Sequence, residues 1–395
     1  MNTMRISELP ASPTERSSLI KLQIVIPTLD QSGAEKQFAL LATGLPRNEF
    51  DVHVLALSRG GAYESLLREA GIPCTILRKR GRFDFRNLLD VRRALKDFQP
   101  DVILSCLFSA NSAVRLATVG LPFRPVTLIS ERCVDSWKSG WQTRLDRILI
   151  PRTDRLIGNS QSVCEFYGGL GYPVDVMSVI PNGVEVPALP EMSRAEFLKR
   201  WDLPEDARLT AFVGRLAPQK DLPTLLWAMQ LLRQGNPKAY LLLIGEGPER
   251  ENLVQTAKQL EMIKHVRFLG HQSSAAQLLH HVDVFWLASR FEGMSNSLME
   301  AMACGKPVIA SDIPPNRELI QHGVDGYLVN PGDSAGFTQY STRLLQDPAE
   351  AERIGTAAAM KMRNEYTTER MLQRYADLIR QEYSRKQAAQ ANAQA

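Results

Sequence analysis

With 395 residues the chain exceeds what one hydrophobic core ordinarily holds, roughly 250–300 residues, so two domains of similar size are expected. A composition of 44% hydrophobic and 23% charged residues is that of a folded globular protein and excludes disordered and fibrous classes. A formal charge of +4 is too small to imply nucleic acid, and the most apolar stretch, 102–129, is broken by Arg115, Pro122 and Arg124 before it could span a bilayer.

In chain order, residues 1–18 are polar and carry Glu8, Pro10, Pro13 and Glu15. They lack the apolar centre of a signal peptide and read as a loose tail. Short runs rich in Val, Ile and Leu then alternate with helix-period segments, the pattern of buried parallel strands joined by crossover helices. Strands are expected at 22–26, 51–57, 74–77, 102–106, 126–130, 155–158 and 176–180, and again at 209–213, 240–244, 266–269, 284–288, 307–310 and 326–329. Each half reads as an α/β, doubly wound, Rossmann-like parallel sheet. Pro181, Asn182, Gly183, Pro187, Pro190 and Pro204 mark the linker. The expected domains are therefore 19–187 and 188–365, followed by a helix over 366–385 that returns to the first domain and a polar tail over 386–395.

Residues 78–96 concentrate Arg78, Lys79, Arg80, Arg82, Arg86, Arg92, Arg93 and Lys96 against Asp84 and Asp90. Such a patch suits an anionic membrane surface or an anionic acceptor, and equally an ordinary solvated helix face. Cys74, Cys106, Cys133, Cys164 and Cys304 are odd in number and scattered, which supports neither a disulfide framework nor a zinc site and fits a reducing cytoplasm.

Ligands of open parallel sheets bind beyond the carboxyl ends of the strands, where helix N-termini offer amides to anions. After Val213, the loop Gly214-Arg215-Leu216-Ala217-Pro218-Gln219-Lys220 puts two cations before a helix. A guanidinium and an ammonium suit a diphosphate, one as a fork and one as a point charge, although plain surface cations would look the same. After the strand at 284–288, Ser289 to Ser295 forms a glycine turn with a cap at Ser295 or Asn296, and Glu300 follows about one turn inside the helix on the face of Asn296 and Ser297. Glu292 and Glu300 would then share one site with a free helix start; alternatively Glu300 pairs with Lys306 or Arg290 and Glu292 is a loop charge. Gly245-Glu246-Gly247-Pro248 would let backbone approach a flat base, and Gly33 opens a helix after the first strand. No G-x-G-x-x-G follows a strand, so an NAD site is unsupported, and no D-x-D occurs to clamp a metal.

Asn159-Ser160, Ile180-Pro181-Asn182-Gly183-Val184, Gly214-Arg215-Leu216 with Gln219-Lys220, Gly245-Glu246-Gly247-Pro248, and Glu292 and Glu300 in an E-x7-E pair occur in this order. Together they resemble glycosyltransferase family 4, retaining enzymes of the GT-B fold in which two Rossmann-like domains face each other. The resemblance implies that Arg215 and Lys220 hold the diphosphate of a nucleotide-sugar donor, linked to UDP, GDP or ADP, and that Glu300 binds the ribose hydroxyls. It further implies that Glu292 with the backbone of Gly293, Met294, Ser295, Asn296 and Ser297 holds the sugar and distal phosphate. It implies no cofactor and no metal, same-face attack assisted by a leaving phosphate oxygen, and an acceptor that is a glycan or lipid-linked saccharide of cell-surface polysaccharide synthesis at the inner face of the cytoplasmic membrane. A double displacement through Glu292 is the other route.

The segment 104–111 lacks the histidine that many relatives carry there, and Ser32 stands where relatives often have Gly. Cys106, Ser109, Asn111, Ser130, Glu131 and Arg132 are acceptor-side candidates, with Cys106 as readily a packed core residue. A nucleotide-sugar epimerase would need an acid and a base in the first half, where His53 is the only histidine. A non-catalytic sugar-nucleotide scaffold is disfavoured by the intact Arg215, Lys220, Glu292 and Glu300.

Overall fold

The computed structural model describes residues 19–78, 85–135 and 138–394. Each expected strand is present, and every pairing described is parallel. The first sheet runs in the order β3-β2-β1-β4-β5-β6-β7, where β1 is Ile20–Thr28, β2 Phe50–Arg59, β3 Cys74–Ile76, β4 Val102–Cys106, β5 Val126–Glu131, β6 Arg155–Gly158 and β7 Met177–Val179. The second runs β10-β9-β8-β11-β12-β13, with β8 Arg208–Val213, β9 Ala239–Ile244, β10 Val266–Gly270, β11 Val284–Leu287, β12 Val308–Ser311 and β13 Tyr327–Val329.

The central strands are apolar because helices cover both their faces. Every residue of β4 and of β11 is buried. The helix after β8, Leu222–Gly235, buries Leu222, Leu225, Leu226, Met229 and Leu232, one stripe at helical spacing. Phe212, Phe285 and Trp286 fill the core of the second sheet, where the Trp286 indole donates to Ser341 Oγ at 2.8 Å. Each strand order reverses once, between β1 and β4 in the first sheet and between β8 and β11 in the second. At such a reversal neighbouring loops diverge to opposite faces and leave a crevice at the carboxyl edge.

The chain divides into two compact units. One holds residues up to Glu131, Ser139–Ile157 and Arg374 onward; the other holds Arg132–Lys138 and Gly158–Gln373. The linker expected at 181–190 thus lies inside the second unit. The reason is local: Val184 N–H donates to Tyr366 O at 2.8 Å, Gly183 N–H faces Met371 Sδ, and the Asn182 amide is fastened to Met294. The terminal helix, Thr368–Gln394, continues well past the expected end at 385, as an Ala- and Gln-rich sequence of high helix propensity allows. Its first-unit part is tied down by Arg155 on Glu382, Arg380 on Glu49 and Lys386 on Asp154. The tail at 1–18 lies outside the described residues.

Candidate functional site

The crevice between β8 and β11 gathers most of the residues expected to bind a donor. Backbone rigidity comes first. Gly214 N–H donates to Ile244 O, Leu216 N–H to Glu246 O and Glu249 N–H to Leu216 O, each at 3.0 Å, so the loops after β8 and β9 lock together. Gly245 makes this possible: its φ of 137° is open to glycine, and a Cβ there would overlap the Gly214 carbonyl. Gly247 packs as tightly on Leu216. With Leu216 buried as the anchor, Arg215 is exposed and has no partner among the described residues.

The end of the same loop reaches across to the turn after β11. Lys220 Nζ is ion-paired with Glu292 Oε1, with side chains only 16% and 9% exposed. Gln219 Nε2 donates to Phe291 O at 2.8 Å, and Arg290 N–H returns to Gln219 O at 2.9 Å. Arg290 pairs with Asp221 at 3.1 Å, and Lys306 donates to His280 O at 2.8 Å. Ser295 caps the helix Asn296–Ala303 by accepting from Leu298 N–H at 3.4 Å. Glu300 is buried one turn inside that helix. Arg215, Lys220, Gly214, Gly245, Gly247 and Glu292 to Ser295 therefore sit on adjoining loops of one unit, with Asn296, Ser297 and Glu300 on the helix that follows, and the cations and the helix start suit an anionic ligand.

Two residues of this assembly take a part that the sequence alone did not give them: Asn182 stood only in the linker and in a matched motif, and Arg132 only among the acceptor-side candidates. Asn182, 3% exposed, donates from Nδ2 to Met294 O at 3.0 Å and to Asn296 Oδ1 at 2.6 Å, while its Oδ1 accepts from Arg132. Arg132 heads a short strap, 132–135, whose Cys133 bridges antiparallel to Gly293 and whose Val134 N–H donates to Glu292 O at 3.1 Å. Gly293 is glycine because a Cβ would collide with the Arg132 carbonyl and Asn159 Oδ1. The motif at Pro181-Asn182-Gly183 was visible as a break and as one of the matched family signals, with no role of its own for Asn182.

In the first unit, Gly33 opens the helix Gly33–Gly44 behind β1 and is exposed. Of the acceptor-side candidates, Asn111 is wholly buried: Ser105 Oγ donates to it at 2.7 Å, and it donates to Ser130 O at 3.0 Å and Glu131 Oε1 at 2.9 Å. Cys106 and Glu131 are buried too, Arg132 belongs to the second unit, and Ser109 is half-buried. Beside them Arg115 and Asp146, both fully buried, pair at 2.7 Å. Of the basic segment, Lys79, Arg80 and Arg82 lie outside the described residues. Arg86, Arg93 and Lys96 are exposed on the helix Phe85–Phe98, and Arg92 is spent on the carbonyls of Ala117, Val119 and Gly120. Burial pushes the Cys74 thiol up to about 11 and the Cys304 thiol up to about 12, so both stay protonated.

Among the described residues no three His, Cys, Asp or Glu side chains gather in a way that could hold a metal ion, and no helix is long and apolar enough to cross a membrane. Residues 193–361 match the family model for glycosyl transferases group 1, and residues 31–186 that for Glycosyltransferase Family 4. The lipopolysaccharide core biosynthesis glycosyltransferase LpsD of Rhizobium meliloti (strain 1021) is 27% identical over 362 residues, 88% of this chain and 95% of its own. The UDP-Gal:alpha-D-GlcNAc-diphosphoundecaprenol alpha-1,3-galactosyltransferase of Escherichia coli is 26% identical over 331 residues, 77% of this chain and 82% of its own. In fold, Anabaena HepE in complex with UDP-glucose superposes with a TM-score of 0.82 at 21% identity, covering 92% of this chain and 100% of that one. With both halves matched in order on two Rossmann-like sheets, the chain belongs to the group 1, family 4 glycosyltransferases and is a glycosyltransferase of the GT-B fold.

Proposed function

We propose that the chain moves a sugar from a nucleoside diphosphate sugar to a hydroxyl of a glycan or lipid-linked saccharide, with retention of anomeric configuration and without a metal ion. The observation that carries this reading is the Lys220–Glu292 pair beside the unpartnered Arg215 at the β8/β11 reversal. A diphosphate entering there exchanges for Glu292 as the partner of Lys220, is gripped by the Arg215 fork, and frees the Glu292 carboxylate for sugar hydroxyls. Glu300, one turn inside the helix Asn296–Ala303, takes the ribose diol.

As the anomeric C1–O bond to phosphate breaks, negative charge grows on the departing diphosphate. Fixed cations and helix-start amides stabilise that charge more in the transition state than in the ground state. The acceptor oxygen bonds to C1 on the face the phosphate leaves, and its proton passes to a leaving phosphate oxygen. The names of the relatives support a UDP-linked donor, since the Escherichia coli enzyme is named for UDP-Gal and the Anabaena protein was solved with UDP-glucose. The diphosphoundecaprenol in the first of those names supports a lipid-linked acceptor.

Contact with an anionic bilayer is supported less by 78–96 than by the helix Gly140–Leu149. It exposes Trp141 at 47% and Ile148 at 64%, with Arg144, Arg147 and Arg152 exposed nearby.

The experiment is a panel of UDP-, GDP- and ADP-sugars with oligosaccharide and polyprenyl-diphosphate-sugar acceptors, read by released nucleoside diphosphate and by the anomeric coupling of the product. Release that depends on acceptor, with the donor configuration kept and EDTA without effect, is expected. Release without acceptor, inversion, or silencing by EDTA would each overturn the part it addresses.

A further inference from the structure

The turn from Phe291 to Asn296 is held from outside through its carbonyl oxygens. Gln219 Nε2 holds Phe291 O at 2.8 Å, Val134 N–H holds Glu292 O at 3.1 Å, and Asn182 Nδ2 holds Met294 O at 3.0 Å. A peptide unit is planar and trans, so the N–H of each following residue points opposite to the carbonyl before it. Anchoring these three oxygens therefore aims the amides of Glu292, Gly293 and Ser295 away from the three anchors. These are among the groups that the proposed function turns towards phosphate and sugar, and the inference rests on that reading.

We infer that Asn182 and Gln219 are positioning residues for catalysis: they set the direction of the amides that meet charge on the departing diphosphate. The orientation of Asn182 is fixed by chemistry. Its Oδ1 faces the Arg132 guanidinium, a donor only, and its Nδ2 faces two oxygens, Met294 O and Asn296 Oδ1. The reverse orientation would set oxygen against oxygen and nitrogen against guanidinium. Met294 itself closes the contact from the other side, since Asn182 N–H meets its Sδ at 3.3 Å. Gln219 does the same work from the loop that also carries Arg215 and Lys220, so one stiff segment places both the cations and the amides.

The test uses the isosteric variants Asn182→Asp and Gln219→Glu in the full chain. Each replaces an NH2 donor by an oxygen facing a carbonyl, and Asn182→Asp gains a charge partner in Arg132, so packing is kept while the anchor is reversed. Groups that act on charge developing in the transition state lower kcat rather than raise donor KM when they are misaimed. With a donor turned over by the wild type, each variant is expected to lose about tenfold or more in kcat with donor KM within about threefold, while Asn182→Asp also lowers the unfolding temperature because the buried Met294 O then faces an oxygen. Folded variants with kcat within about twofold of wild type would overturn the inference. If Asn182→Asp fails to fold, Gln219→Glu, on a half-buried loop, decides alone. A wild-type chain inert with every sugar nucleotide overturns instead the reading beneath the inference, and the inference with it.

Discussion

Lys220 and Glu292 lie 72 residues apart in sequence, yet they form an ion pair that closes the reversal between β8 and β11. Glu292 is buried there with Lys220 as its ion-pair partner. Lys220→Ala is expected to cost about 2 kcal/mol of stability as well as turnover, because a buried carboxylate is left unpaired. Arg215→Ala removes an exposed cation that has no partner among the described residues. It should change stability by no more than about 0.5 kcal/mol while lowering kcat/KM roughly 100-fold. Denaturant titration alongside kinetics checks the contrast, and equal stability loss in both variants would contradict it.

Glu300 and Glu292 are separable by kinetics. If Glu300 holds the ribose, Glu300→Gln weakens binding in ground and transition states alike, so donor KM should rise about tenfold with kcat within about threefold. Glu292→Gln should act mainly on kcat. A Glu300→Gln variant with unchanged KM would remove it from the nucleotide site.

His281 gives the second unit a predicted acid sensitivity. Burial lowers its pKa below the ordinary 6.5, and the charges of Arg194 and Lys306 lower it further; the neutral ring stacks on Phe197 at 4.7 Å. Below pH 6.5 the unfolded chain takes a proton that the folded chain refuses, so stability falls as pH drops from 6.5 towards the folded pKa and levels off beneath it. His281→Phe should shrink the difference in unfolding temperature between pH 7.5 and about pH 5.5. An unchanged difference would assign the acid sensitivity to other groups.

The exposed face of Gly140–Leu149 is tested with vesicles. Trp141→Ala with Arg144→Glu should reduce co-sedimentation with anionic liposomes, and raising the salt should reduce that of the wild type, while turnover on a soluble acceptor is kept. Sedimentation that ignores both changes would place the membrane contact elsewhere.

The strands, and the two loops proposed to hold the donor, were legible in the sequence as elements because their signals are local. Val/Ile/Leu runs mark buried strands, and Gly214 to Lys220 and Ser289 to Glu300 each follow one directly. Asn182 was not legible as a site residue, since its meaning lies in partners 112 and 114 residues away and in Arg132, 50 residues behind it. Proline and glycine neighbours made it look like linker, whereas tertiary hydrogen bonds hold that segment in the second unit. Asn111 failed in the opposite sense: a polar residue after a strand suggested an open site, but Ser105, Ser130 and Glu131 consume its amide in the interior.

The central claim is that the second unit receives a diphosphate with Arg215 and Lys220 in place of a metal ion. The direct measurement is calorimetric titration of UDP, and of inorganic pyrophosphate, into the full chain in EDTA. Wild-type protein should bind at least one of them, and Arg215→Ala should bind it at least about tenfold more weakly. Wild-type binding that appears only when a divalent cation is added, or binding that Arg215→Ala leaves intact, would contradict the claim.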